Sequence, residues 1–237
     1  MTVETSTSFE DAWRRFLAAD SVQVGQGIED EWVQGRAQFL TFMVRVLDRH
    51  VRDAIAASVE KLRGIPSLDL YPDHYWHITV KMVGFQVVKR TRPDEVLRQE
   101  VGPILYAAER ALAGQPPFDV EIGPVNAFPE AVFLEVHDGG RLKTLHQRLL
   151  NALSHYPRFP HEGEAYLPHV TLARYASQER LAELKERLAA LRPEKLRTLP
   201  VRRVEFVKVW LTSDYPERDI IQPIVLLPVR QAGGRPG

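Results

Sequence analysis

Apolar and polar positions follow two periods along this chain, and the two periods take turns. From Phe39 to Leu47 the residues are β-rich and apolar. From Asp48 to Arg63 the pattern changes to that of a helix, with Val51, Ile55, Val59 and Leu62 on one stripe and Gly64-Ile65-Pro66 ending it. A loop then leads to an alternating strand from Trp76 to Phe85. Thr91 with Asp94 resembles a capping box, which predicts a helical stretch toward Leu112, kinked or divided at Gly102-Pro103.

The second half repeats that order. Phe118 to Val125 places Phe118, Val120 and Ile122 on one strand face, and Ala131 to Val136 predicts the next strand. Arg141 to His155 predicts a helix with Leu142, Leu145, Leu149 and Leu153 inward. A strand around His169 follows, then a helix from Ser177 to Leu191 carrying Leu181, Leu184, Leu188 and Leu191. Val204 to Leu211 and Ile221 to Val229 are the last predicted strands. Ahead of all this, Phe9 to Ala19 predicts one short helix with Trp13, Phe16 and Leu17 on a shared face, and Gly25-Gln26-Gly27 breaks it. Residues 1–37 therefore read as a partly helical extension, 38–230 as one bilobal domain, and 231–237 as a disordered Gly/Pro-rich tail. The fold class expected is α+β: two pseudo-symmetric lobes with antiparallel sheets facing a central cleft, helices outside.

Two of the predicted strands carry the same four-residue pattern, His77-Ile78-Thr79-Val80 and His169-Val170-Thr171-Leu172. Side chains at i and i+2 of a strand share a face. Each His and its Thr thus point together into a cleft, while Ile78, Val80, Val170 and Leu172 point into a core. Two imidazoles can supply the base and the acid that a phosphodiester reaction needs, and two hydroxyls can donate to its non-bridging oxygens. By strict alternation Lys81 shares the face of His77 and Thr79. Arg174, at an odd offset from His169, needs a strand end or a bulge to reach that face. Tyr75, Trp76, Phe128 and Tyr166 are the aromatic residues placed to stack on a base.

Charge and composition narrow the reading. The 31 basic and 31 acidic residues cancel, which argues against gripping long nucleic acid by bulk electrostatics and leaves a short or small phosphate substrate open. There are 0 cysteines, so a disulfide framework, a thiolate zinc site and a cysteine nucleophile are excluded. No Gly-rich phosphate loop is present, so no cofactor is expected. The first thirty residues lack the apolar core of a signal peptide, and the longest apolar stretches fall short of the roughly 20 residues of a membrane span. A soluble cytoplasmic monomer, away from membranes, is the expectation.

At the two His-apolar-Thr-apolar motifs the sequence resembles the two-histidine (2H) phosphoesterase superfamily, in its 2′-5′ RNA ligase-like and cyclic phosphodiesterase branch. The flanks carry the resemblance further. Lys81 and Gly84 follow the first motif, and Pro168 and Arg174 bracket the second, with Ala127-Phe128-Pro129 upstream. The resemblance spans 39–228 and implies a metal-independent phosphoesterase. Its substrates would be 2′,3′-cyclic phosphates or 2′-5′ bonds of RNA ends or small nucleotides, with ligation possible in reverse. It implies His77, Thr79, His169 and Thr171 as catalytic residues, with His169 as base and His77 as acid for hydrolysis. Lys81, Arg174, Tyr75, Phe128 and Tyr166 are the substrate-binding candidates. Two other readings stand beside it: a non-enzymatic binder of RNA ends or nucleotides on the same fold, and a metal hydrolase using His74 and His77. The second suffers from a three-residue offset on a loop-to-strand segment, which puts the two rings on opposite faces, and no metal site is assigned.

Overall fold

The computed structural model describes residues 8–25, 33–194, 197–216 and 218–228. The predicted tail, the end of the last predicted strand at Val229, and Gln26-Gly27 lie outside them. Helices α1 (Phe9–Ala18), α2 (Arg49–Leu62), α3 (Val101–Leu112), α4 (Arg141–Ala152) and α5 (Leu181–Leu191) pack on one ten-stranded sheet. Its strands are β1 (Gln38–Arg45), β2 (Leu68–Leu70), β3 (His77–Val87), β4 (Glu95–Leu97), β5 (Phe118–Ala127), β6 (Ala131–His137), β7 (His169–Tyr175), β8 (Thr198–Val201), β9 (Arg203–Trp210) and β10 (Arg218–Val225). Among the described residues no helix is long and apolar enough to cross a membrane.

The strand order β10-β9-β1-β3-β7-β6-β5-β8 divides into the two expected halves, with β4 parallel on β3 and β2 antiparallel on β7. The halves meet between the two motif strands, which pair at Ile78 and Val170 alone. Only Arg202 separates β8, at one edge of the sheet, from β9 near the other, so the sheet curls and its far strands approach. The inward residues of α2, Val51, Ile55, Val59 and Leu62, join Ile78, Val80, Val170 and Leu172 in the main core. A smaller cluster of Phe39, Met43, Phe85, Val207 and Val209 occupies the opposite face of the first half. Asp48 starts α2 by accepting from the Val51 N–H at 3.1 Å, a cap worth about 1 kcal/mol.

Two local expectations change. The Thr91–Asp94 pair opens no helix. Glu95 accepts from the Thr91 and Arg92 N–H groups at 2.6 and 2.9 Å and folds the segment into a turn that feeds β4. Helix α3 starts at Val101, so Pro103 falls in the first turn, where its missing N–H leaves no bond unmade. In the N-terminal segment, Trp13 and Phe16 are buried in the main core, while Leu17 is 44% exposed. Asn126 donates to the Phe9 carbonyl at 2.8 Å, and the Gln23 and Gly25 N–H groups donate to Pro129 and Tyr175. Residues 8–25 are therefore strapped across the second half.

Gly84 lies where only glycine fits. Its φ is +140°, and a Cβ there would stand 2.7 Å from the Asp94 carbonyl oxygen, which accepts from the Phe85 N–H. Gly84→Ala is expected to destabilise the protein by about 2–4 kcal/mol, from backbone strain together with the clash. Denaturant unfolding checks this, and a midpoint within error of the wild type would contradict it.

Candidate active site

A one-residue bulge follows the Thr of each motif. Met43 pairs with Thr79 and Phe42 with Lys81, so Val80 is the extra residue on β3. Phe133 pairs with Thr171 and Val132 with Ala173, so Leu172 is the extra residue on β7. Both bulged carbonyls are satisfied: His146 Nδ1 donates to Val80 at 2.7 Å, and the Tyr71 N–H donates to Leu172 at 2.7 Å. The burial pattern is consequently identical along the first seven residues of the two strands, with positions one, three and six half-buried and the rest buried.

The first bulge overturns the strict alternation expected of Lys81, and the second is the one that Arg174 needed. Past the bulge the cleft face passes to Met82 on β3 and Arg174 on β7. Lys81 leaves that face: it still borders the cavity, but it is 1% exposed, and its ammonium donates to the Met82 and Pro157 carbonyls and pairs with Glu162 at 3.0 Å. Arg174 reaches the His169 face but is held by Asp69 of β2 at 2.6 Å, with Asp214 at 3.6 Å and its guanidinium over the Tyr215 ring.

Both motif histidines are held alike. Nδ1 of His77 lies 2.7 Å from the Tyr75 carbonyl, and Nδ1 of His169 lies 2.7 Å from the Leu167 carbonyl. A carbonyl only accepts, so each Nδ1 carries a proton and each neutral ring keeps its lone pair on Nε2. Burial pushes His77 down to about 3; the Arg218 charge and His169 push the same way, against the bond to Tyr75. Burial also lowers His169, with His161 adding to it and the bond to Leu167 opposing. Both rings are therefore neutral in the free protein at pH 7. The antiparallel pair Ile78–Val170 sets the two histidines diagonally across neighbouring strands, about 7–8 Å apart at the backbone.

Thr79, Thr171 and His169 line a cavity of about 380 Å³, together with Tyr71, Phe128, Glu130, His161 and Tyr166. His77 stands one strand step from that lining, under the edge of Tyr75 at 5.6 Å between ring centres. Tyr75 belongs to this His77 flank: Arg218 lies 4.3 Å over its ring, and Tyr71 and Tyr215 pack against its edges. Phe128 stacks on Phe133 at 4.0 Å and meets His169 edge-on at 5.1 Å. Tyr166 is a wall: its hydroxyl donates to the Thr79 carbonyl at 2.8 Å, and its ring stacks on His146 at 4.1 Å. Trp76 is core, 3% exposed.

The sequence reading missed Tyr71, Glu130, His161 and Arg218. His161 and Glu130 sit in loops whose distance from the motifs only the fold closes. Arg218 begins a strand that lies beyond β1 and β9 from β3 in the sheet. No periodicity marks any of the four.

The curled sheet thus sets two His-x-Thr strands side by side, with matched bulges and matched imidazole bonds. The chain belongs to the 2′-5′ RNA ligase superfamily, whose family model matches residues 51–209. No curated protein matches the sequence. Among solved structures it is similar to TT0787 of Thermus thermophilus, at 19% identity and a TM-score of 0.59 over 81% of this chain and 99% of that one. It is also similar to a phosphoesterase, at 14% identity and a TM-score of 0.60 over 80% and 98% of the two chains. The E. coli LigT structure complexed with 3′-AMP gives 17% identity and a TM-score of 0.60 over 80% and 98%. At these identities the likeness is one of fold.

Proposed function

We propose that this protein is a phosphoesterase acting on 2′,3′-cyclic phosphate or 2′-5′ phosphodiester bonds of RNA ends or small nucleotides, with His77 and His169 as the proton carriers. The observation that carries this reading is the matched pair of Nδ1–carbonyl bonds, which leaves Nε2 as the working nitrogen on both motif strands. In hydrolysis, Nε2 of His169 takes a proton from water as the water oxygen bonds to phosphorus. The bond from phosphorus to the leaving sugar oxygen breaks, and that oxygen takes the proton from Nε2 of the His77 imidazolium. Thr79 and Thr171 donate to the non-bridging oxygens. The roles of the two histidines exchange in the ligation direction. The LigT complexes with 3′-AMP and ATP support a nucleotide as the ligand class.

Proton inventory gives a test. The reaction needs one neutral ring and one imidazolium, and in the free site both rings sit below the ordinary value of 6.5. Protonation of the acid then limits kcat/KM as pH rises, with a slope approaching tenfold per pH unit. The expected profile, measured in EDTA on a 2′,3′-cyclic nucleotide, is a bell whose optimum lies on the acid side of 6.5. Arg218→Gln removes a charge that disfavours the His77 cation, so its alkaline limb moves to higher pH. A flat profile from pH 5 to 9 would contradict the proposal.

A further inference from the structure

Most polar groups around the cavity are already committed. Lys81 and Glu162 hold each other, His146 bridges the Val80 carbonyl and the Gly163 N–H, and the Tyr166 hydroxyl is bonded to Thr79. Apart from Thr79, Thr171 and His169, assigned to catalysis, and the Tyr71 hydroxyl, two lining side chains are not: Glu130 and His161 have no side-chain partner on another residue among the described residues, and both are exposed. They come from facing loops, and each lies within reach of the other's charge.

His161 is held there at a backbone cost. It is a non-glycine residue with φ of +68°, in the left-handed region that favours glycine. Its loop is pinned on both sides, by Lys81 to Pro157 and Glu162 and by Gly163 to His146. Glu130 is two residues from Phe128, whose second face is open to the cavity because Phe133 covers the first. A carboxylate beside a phosphate site weakens the binding of an anion unless it accepts hydrogen bonds from the rest of the ligand.

Resting on the phosphoesterase reading, we propose that Glu130 and His161 read the base of the substrate and select guanine. The guanine edge offers one acceptor followed by two donors, O6, N1–H and the N2 amine. An imidazole N–H and a two-oxygen carboxylate match that order. Adenine offers the carboxylate one donor, and uracil and cytosine each offer one. The base lies against Phe128, its edge toward Glu130 and His161, and its phosphate toward His169, Thr79 and Thr171.

Calorimetric titration with guanosine, adenosine, cytidine and uridine 2′-monophosphates tests this without relying on turnover. The expected result is binding of the guanosine nucleotide tighter by about tenfold, the discrimination typical of a two-point contact to a base edge. In Glu130→Gln and in His161→Gly the ratio of guanosine to adenosine affinity falls about tenfold. Glycine is chosen at 161 because it keeps the positive φ and removes only the ring. Thermal unfolding of both variants checks that the fold stands. Equal affinity for the four bases, or a preference unchanged in Glu130→Gln, would overturn the assignment. If the preference stands while no cyclic nucleotide turns over, the phosphoesterase reading fails and base selection survives. Trinucleotides ending in guanosine or adenosine 2′-phosphate, run beside the mononucleotides, separate an RNA end from a free nucleotide by which binds tighter.

Discussion

Replacing His77 or His169 by alanine lowers kcat on a 2′,3′-cyclic nucleotide by about 10²–10⁴-fold, and replacing both costs little more than the worse single change. The reason is in the protonic circuit. One ring takes a proton from the attacking water while the other gives a proton to the leaving oxygen, and either loss opens the circuit. Their removal leaves Thr79, Thr171 and the cavity wall in place, so KM changes much less than kcat. A single variant that loses less than about tenfold would mean that the imidazole is not a proton carrier. A binding protein on this fold would show the opposite pattern, with affinity altered and no turnover to lose.

The second large effect is structural and concerns Lys81. Lys81→Met strands the Glu162 carboxylate, 7% exposed, without its cation, and removes the donors to Met82 and Pro157. Breaking one side of a buried pair costs about 3–5 kcal/mol. Denaturant unfolding is expected to show that loss. Lys81→Met with Glu162→Leu is expected to lose less than Lys81→Met alone, because both charges then leave the interior together. A lysine that bound substrate directly would give the reverse: unchanged stability and a raised KM. Activity of Lys81→Met falls through the freed 157–163 loop, so it falls most where His161 matters.

The motif strands themselves were legible because alternation is the strongest short-range signal a strand carries, and in each motif the His and its Thr are two residues apart. The helix stripes were legible for the same reason: Val51, Ile55, Val59 and Leu62 have one arrangement that buries them all. What failed was phase. A bulge adds a residue without leaving a mark in composition, so Val80 and Leu172 read as ordinary strand positions. Beyond them strict alternation has the wrong phase: Lys81 leaves the His77 face, while Arg174 reaches the His169 face through the bulge that its odd offset required.

Short strands were illegible for another reason. β2, β4 and β8 have three or four residues each, too few for a period, and they form by pairing with strands already in place. The surroundings of the site were hidden because Tyr71, Glu130 and His161 of the cavity wall and Arg218 of the His77 flank are brought together by loops and by the curl of the sheet. The docking of α1 was half legible: the stripe of Trp13 and Phe16 announced a buried face, and nothing in it said what would cover that face.

The central claim is that two Nε2 atoms, each set by a carbonyl on Nδ1, move protons across one phosphate. The most direct measurement is chromatographic assay in EDTA of 2′,3′-cyclic nucleotides, an RNA with a cyclic-phosphate end and a 2′-5′ dinucleotide, with His77→Ala/His169→Ala beside the wild type. The account predicts turnover by the wild type and none above background by the double variant. It also predicts a single phosphomonoester isomer from each cyclic substrate, because a fixed acid protonates one of the two ring oxygens. Turnover that persists in the double variant, or a mixture of both isomers, would contradict it.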